Sequence, residues 1–61
     1  MTLEELLYTV NDSTFVKIFS VENGTEIAAY DGKDSIPESL DPLEVTDIFV
    51  DGNVLCIEVN I

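Results

Sequence analysis

Seven carboxylates recur at intervals of three or four residues between positions 31 and 51: Asp31, Asp34, Glu38, Asp41, Glu44, Asp47 and Asp51. Through a loop and a short helix this spacing describes a solvated face. It also describes one continuous acidic strip, and then the chemistry is recognition. Carboxylates on a rigid scaffold stand in for phosphates, because charge-assisted bonds from Arg are geometrically alike for both. Asp34, Glu38, Asp41, Glu44 and Asp47 are the residues expected to meet a basic partner in this way.

Other chemistry finds few residues to carry it. The sequence contains no His, so it has no ordinary general base near neutral pH and no Ser-His or Cys-His pair. Its only basic residues are Lys17 and Lys33, and without Arg there is no bidentate phosphate clamp. Gly24, Gly32 and Gly52 each lie in a turn composition, and no phosphate-binding glycine motif is formed. Asp31-Gly32-Lys33-Asp34 has part of a calcium-loop pattern but lacks the alternating ligands and the closing Glu. Cys56 has no second Cys or His for a zinc site and reads as a small apolar packer. No catalytic residue, cofactor or metal is therefore expected.

Thirteen acidic residues against two lysines give a formal net charge of −11 over 61 residues. Such a surface repels nucleic acid and anionic membranes and suits a basic protein groove. A domain of this length has a radius of gyration of about 10 Å. Its charge density is then comparable to that of duplex DNA, which carries about one charge per 1.7 Å of axis. The 46% hydrophobic content is that of a folded chain, and the length that of one domain, 1–61. One cysteine, no signal-like opening and no apolar run of membrane-spanning length together point to the cytoplasm.

The scaffold begins with Thr2-Leu3-Glu4-Glu5, a capping box, followed by Leu3, Leu6, Leu7 and Val10 on one helical stripe. A short helix over residues 3 to about 10 is expected. Two strand-like pairs follow, each around a turn signal. Asn23-Gly24 as a type I′ turn would pair Ser20 with Ile27, Ile18 with Ala29 and Val16 with Asp31. Asp51-Gly52, the stronger signal, would pair Ile48 with Leu55 and Thr46 with Ile57. Between the hairpins, residues 31–42 form a connection with a single helical turn near Pro37 to Leu40, anchored by Ile36, Leu40 and Leu43. The expected fold is α+β: a short N-terminal helix packed on a four-stranded antiparallel sheet made of two β-hairpins. The hairpins lie side by side or close as a small half-barrel.

In this arrangement the helix covers the aliphatic face: Val16, Ile18, Ile27 and Ala29 with Ile48, Val50, Leu55, Ile57 and Val59. The other face gathers Phe15, Phe19, Tyr30, Phe49, Val45, Val54 and Cys56 among Lys17, Asp47 and Glu58. Either the connection 31–42 folds over this face, or the sheet twists it into a second small core, or it is an interface, with Phe15, Phe19, Tyr30 and Phe49 as its anchors. Two functions from different classes follow. One is a non-enzymatic inhibitor that occupies a basic nucleic-acid-binding groove. The other is a structural module that forms a homodimer through the aromatic face.

Taken whole, the chain resembles the short acidic proteins carried by phages and other mobile elements of Gram-positive bacteria. The resemblance lies in the Met1-Thr2-Leu3-Glu4-Glu5-Leu6-Leu7 opening, the Asn23-Gly24 and Asp51-Gly52 turns, and the Val54-Leu55-Cys56-Ile57-Glu58-Val59 strand. It implies an anti-CRISPR-like inhibitor, a nucleic-acid mimic acting on a bacterial defence protein in the host cytoplasm.

Overall fold

The computed structural model of the protein describes residues 1–61. Thr2 caps helix α1 (Leu3–Leu7) as its sequence predicts. The Glu5 backbone N–H donates to the Thr2 hydroxyl at 3.3 Å, and the Thr2 N–H donates to the Glu5 carboxylate at 2.8 Å. The helix is shorter than its apolar stripe. Thr9 and Val10 donate to Leu6 and Leu7, three residues back rather than four, and this tighter turn ends α1 before Val10.

Four strands follow: β1 (Phe15–Ser20), β2 (Glu26–Asp31), β3 (Val45–Asp51) and β4 (Val54–Val59). They form one sheet in the order β2-β1-β4-β3. β1 pairs antiparallel with β2, and β3 with β4, but β1 and β4 lie parallel at the centre. The sheet is therefore mixed, not antiparallel throughout as two hairpins alone suggest. The cause is the connection. Residues 32–44 exceed a hairpin loop and reach the dozen or so residues that a crossover between parallel strands needs. They carry the chain from one edge, β2, to the opposite edge, β3, through single 3₁₀ turns at Lys33–Ser35 and Glu38–Leu40.

The connection crosses the helix side of the sheet. Ile36 joins Leu3, Leu6 and Leu7 of α1, Val16 and Ile18 of β1, and Ile57 and Val59 of β4 in the core, with Leu40 and Leu43 packed against it. Each large apolar side chain buried in this way contributes about 1.5–3 kcal/mol. Backbone bonds stitch the layers: Leu3 N–H to Leu43 O at 2.8 Å, Glu4 N–H to Asp41 O at 3.1 Å and Val45 N–H to Met1 O at 2.8 Å. The buried Ser20 hydroxyl donates to Ile61 O at 2.8 Å and so leaves no orphan donor. The radius of gyration is 10.2 Å. No helix is long and apolar enough to cross a membrane.

Both turns differ from the expected type I′. In the second hairpin Asp51 pairs with Val54, so Gly52 and Asn53 are the central residues. Gly52 has φ +64° and no residue other than glycine has a positive φ, which fits a type II′ turn with glycine first. The register moves by two residues, bringing Ile48 opposite Ile57, and an even shift leaves the side chains from Asp47 to Val59 on their expected faces. In the first hairpin the loop is longer, closed by Ser20 N–H to Thr25 O at 2.9 Å and Gly24 N–H to Ser20 O at 2.8 Å.

Candidate partner-binding face

Two β-bulges decide which side chains reach the open face of the sheet. The first lies where Ile18 pairs with Ala28 but Phe19 with Glu26, leaving Ile27 as the extra residue. Beyond it β2 is turned over relative to its expected setting. Ala28 and Tyr30 now pair with Ile18 and Val16, while Ile27 is 44% exposed. Tyr30, expected among the aromatic anchors of the open face, instead packs against the helix-side core. The second bulge lies between Val45 and Asp47, and it moves Val45 to the core side in the same way.

What remains on the open face is ordered in three rows across β2, β1, β4 and β3. The first is Asp31, Phe15, Val54 and Asp51; the second Ala29, Lys17, Cys56 and Phe49; the third Glu26, Phe19, Glu58 and Asp47. The middle of the face is apolar and aromatic. Its margins carry five carboxylates, Glu26, Asp31, Asp47, Asp51 and Glu58, against the single ammonium of Lys17. That ammonium is partly neutralised already, 3.4 Å from the Glu26 carboxylate. Phe15 and Phe49 are 37% and 44% exposed, whereas Cys56 is buried. The connection lies on the other side, so nothing in the chain folds over these rings.

The acidic series does not form one strip. Asp34 and Asp41 sit on the helix side, where with Glu4, Leu7, Tyr8 and Lys33 they line a shallow pocket of ≈ 200 Å³. Lys33 closes that region by donating to Leu7 O at 2.9 Å and pairing with Asp12 at 3.3 Å. Glu38 is exposed in the second 3₁₀ turn, and Glu44 pairs with the Met1 amino group at 3.1 Å. Asp47 alone of the five expected residues joins Phe15, Phe19 and Phe49. Glu26, Asp31, Asp51 and Glu58 complete the margin. Asp31 and Asp51 belong to the three-to-four series and Glu58 follows from strand alternation, whereas Asp31 reaches this face because the β2 bulge moves it from its expected place opposite Val16 to one opposite Phe15.

Glu5 is held below the usual range, first by the Thr2 backbone N–H and then by the Thr2 hydroxyl. It belongs to the helix cap and not to the open face. No group of three His, Cys, Asp or Glu side chains is placed to hold a metal ion. No protein-family model, no curated protein and no solved structure matches this chain.

Proposed function

We propose that this protein is a non-enzymatic inhibitor that docks the open face of its sheet on a basic protein surface of the kind that holds nucleic acid. The observation that supports this reading is the margin of five carboxylates around Phe15, Phe19 and Phe49. The aromatic rings supply desolvated anchors. The carboxylates supply register and attraction to Lys and Arg. In keeping with the resemblance to mobile-element proteins, the target is the groove of a bacterial defence effector.

The exposed rings also favour a second reading, a homodimer through the same face. Charge weighs against it. A face-to-face dimer would bring two sets of five carboxylates together with only two Lys17 side chains between them, and like charges brought together across an interface oppose association.

The test is capture of host proteins on the immobilised chain, released in steps of rising ionic strength, followed by competition on each purified binder with labelled duplex DNA. Expected is a basic protein released at moderate salt, from which the wild type displaces DNA and Asp47→Lys and Phe49→Ala do not. Binding indifferent to salt and to both substitutions would overturn the reading. A wild-type protein that is dimeric, with Phe49→Glu monomeric, would favour the homodimer.

A further inference from the structure

The sheet has two edges, and they are not equivalent. β2 is interrupted by its bulge at Ile27 and offers small side chains at Ala28 and Ala29. β3 has its bulge at the start, so Asp47 to Asp51 run as a regular strand with no strand on their outer side. It contains neither Pro nor Lys, the residues that commonly blunt an edge; its one local cap is the Asp47 carboxylate, which accepts from the Ile48 N–H at 2.9 Å and is released when an incoming Lys or Arg engages it. The chain itself already uses the start of this edge. Thr2 bridges Glu44, and Val45 N–H donates to Met1 O, so residues 1–3 lie beside 43–45 as a short extra strand before turning into α1.

Beyond that point both faces of β3 are exposed. On the helix side, α1 is too short to reach Ile48 and Val50, which are 41% and 68% exposed. Val50 and Leu55 form one wall of a groove of ≈ 360 Å³ whose other wall is Val10, Asn11 and Thr14. On the open face lie Asp47, Phe49 and Asp51. The edge thus alternates acid or aromatic on one side with aliphatic on the other.

We propose that β3 accepts an extended segment of a basic partner as a fifth strand, continuing the position that residues 1–3 occupy. Directly opposed residues on adjacent strands share a face. The incoming segment therefore sets Lys or Arg opposite Asp47 and Asp51 and β-branched residues opposite Ile48 and Val50. The backbone supplies affinity, and the alternation supplies selection. A second copy of β3 fits less well. Antiparallel pairing centred on Phe49 sets Asp47 of one copy against Asp51 of the other, and like charges directly opposed are destabilising. This inference rests on the reading of the protein as a binder of basic proteins, and it specifies the form of the partner.

The probe is a nine-residue peptide alternating Lys and Val, titrated into isotope-labelled protein and followed by amide chemical shifts. Two further peptides carry backbone N-methyl groups on every Lys or on every Val. In an extended strand successive N–H groups point to opposite edges, so only one of the two versions blocks pairing. Shifts centred on Thr46–Asp51, Val10 and Leu55 are expected, with one N-methylated peptide at least tenfold weaker and the other equal to the parent. Equal binding by all three, with shifts confined to Phe15, Phe19 and Lys17, overturns the fifth strand and leaves the face reading standing. Absence of binding at low salt overturns both. Slow tumbling and protected β3 amides without peptide would show that a second copy occupies the edge, and would overturn the basic segment.

Discussion

The rings of Phe19 and Phe49 lie 5.6 Å apart, centroid to centroid, with their planes tilted by 44°, although they stand on strands that are not neighbours. β4 runs between them, and Phe19 is level with Glu58 but Phe49 with Cys56, so two strand spacings and two residues along the strand would separate their backbones by about 12 Å. The rings therefore lean inward over β4 and roof Cys56, which is 2% exposed on a face that is otherwise open.

Cys56 should accordingly resist thiol reagents in the native protein. Phe49→Ala removes half of the roof and should speed labelling by at least tenfold. It should also cost about 1–2 kcal/mol, since an aromatic pair is worth about 0.5–1.5 kcal/mol beyond the area it buries. Native-state labelling kinetics alongside chemical denaturation would check both. Rapid labelling of the wild type would contradict the roof.

Ile48 and Ile57 face each other across β3 and β4, yet their burial is unequal. Ile57 is fully enclosed beneath α1, and Ile57→Ala should cost about 2–5 kcal/mol in urea denaturation. Ile48→Ala should stay within about 0.5 kcal/mol, as surface substitutions do. Equal losses would mean that the helix side of β3 is covered in solution.

Gly32 is buried with φ +102°, and a Cβ there would lie 2.8 Å from the Asp12 carbonyl oxygen. Gly32→Ala should therefore destabilise by about 3 kcal/mol, the upper end for a strained backbone position. Gly24 also has positive φ but open space around it, and Gly24→Ala should cost about 1 kcal/mol. Thermal denaturation of the two variants would separate crowding from conformational preference.

Acid should reveal the helix cap. Glu5 has its folded-state pKa lowered by bonds from Thr2, so its contribution is present above the ordinary carboxyl pKa and is lost as pH falls through the lowered one. The stability gap between wild type and Glu5→Gln should be constant near neutrality and close on acidification. A gap that widens below pH 4 would be the wrong sign. Thr2→Ala, which removes the cap hydroxyl, should cost about 1 kcal/mol at pH 7.

Local chemistry was legible in the sequence, and long-range arrangement was not. Thr2 and Glu5 announce their own geometry because both partners of the cap lie within four residues. Ile48, Val50, Leu55, Ile57 and Val59 keep their common face because an even register shift preserves faces, but only Ile57 and Val59 are buried in the core and Leu55 packs against it, while Ile48 and Val50 on the edge strand stay exposed. Tyr30 and Val45 were misplaced because a bulge adds one residue, and neither Ile27 nor Thr46 carries a local mark of one. The acidic strip failed for a related reason. Spacing along a connection says which residues are solvated but not which side of the sheet the connection crosses.

The parallel pairing of β1 with β4 also has a consequence in time. Phe15 lies beside Val54, and Ser20 beside Val59, so the centre of the sheet joins the earliest strand to the last. Contacts this distant in sequence slow folding, because chain closure must precede the reward. During synthesis Val16 and Ile18 have no lasting place to go until Ile57 and Val59 are available. The protein should thus emerge as an unfolded, acidic chain and acquire its sheet in one late step.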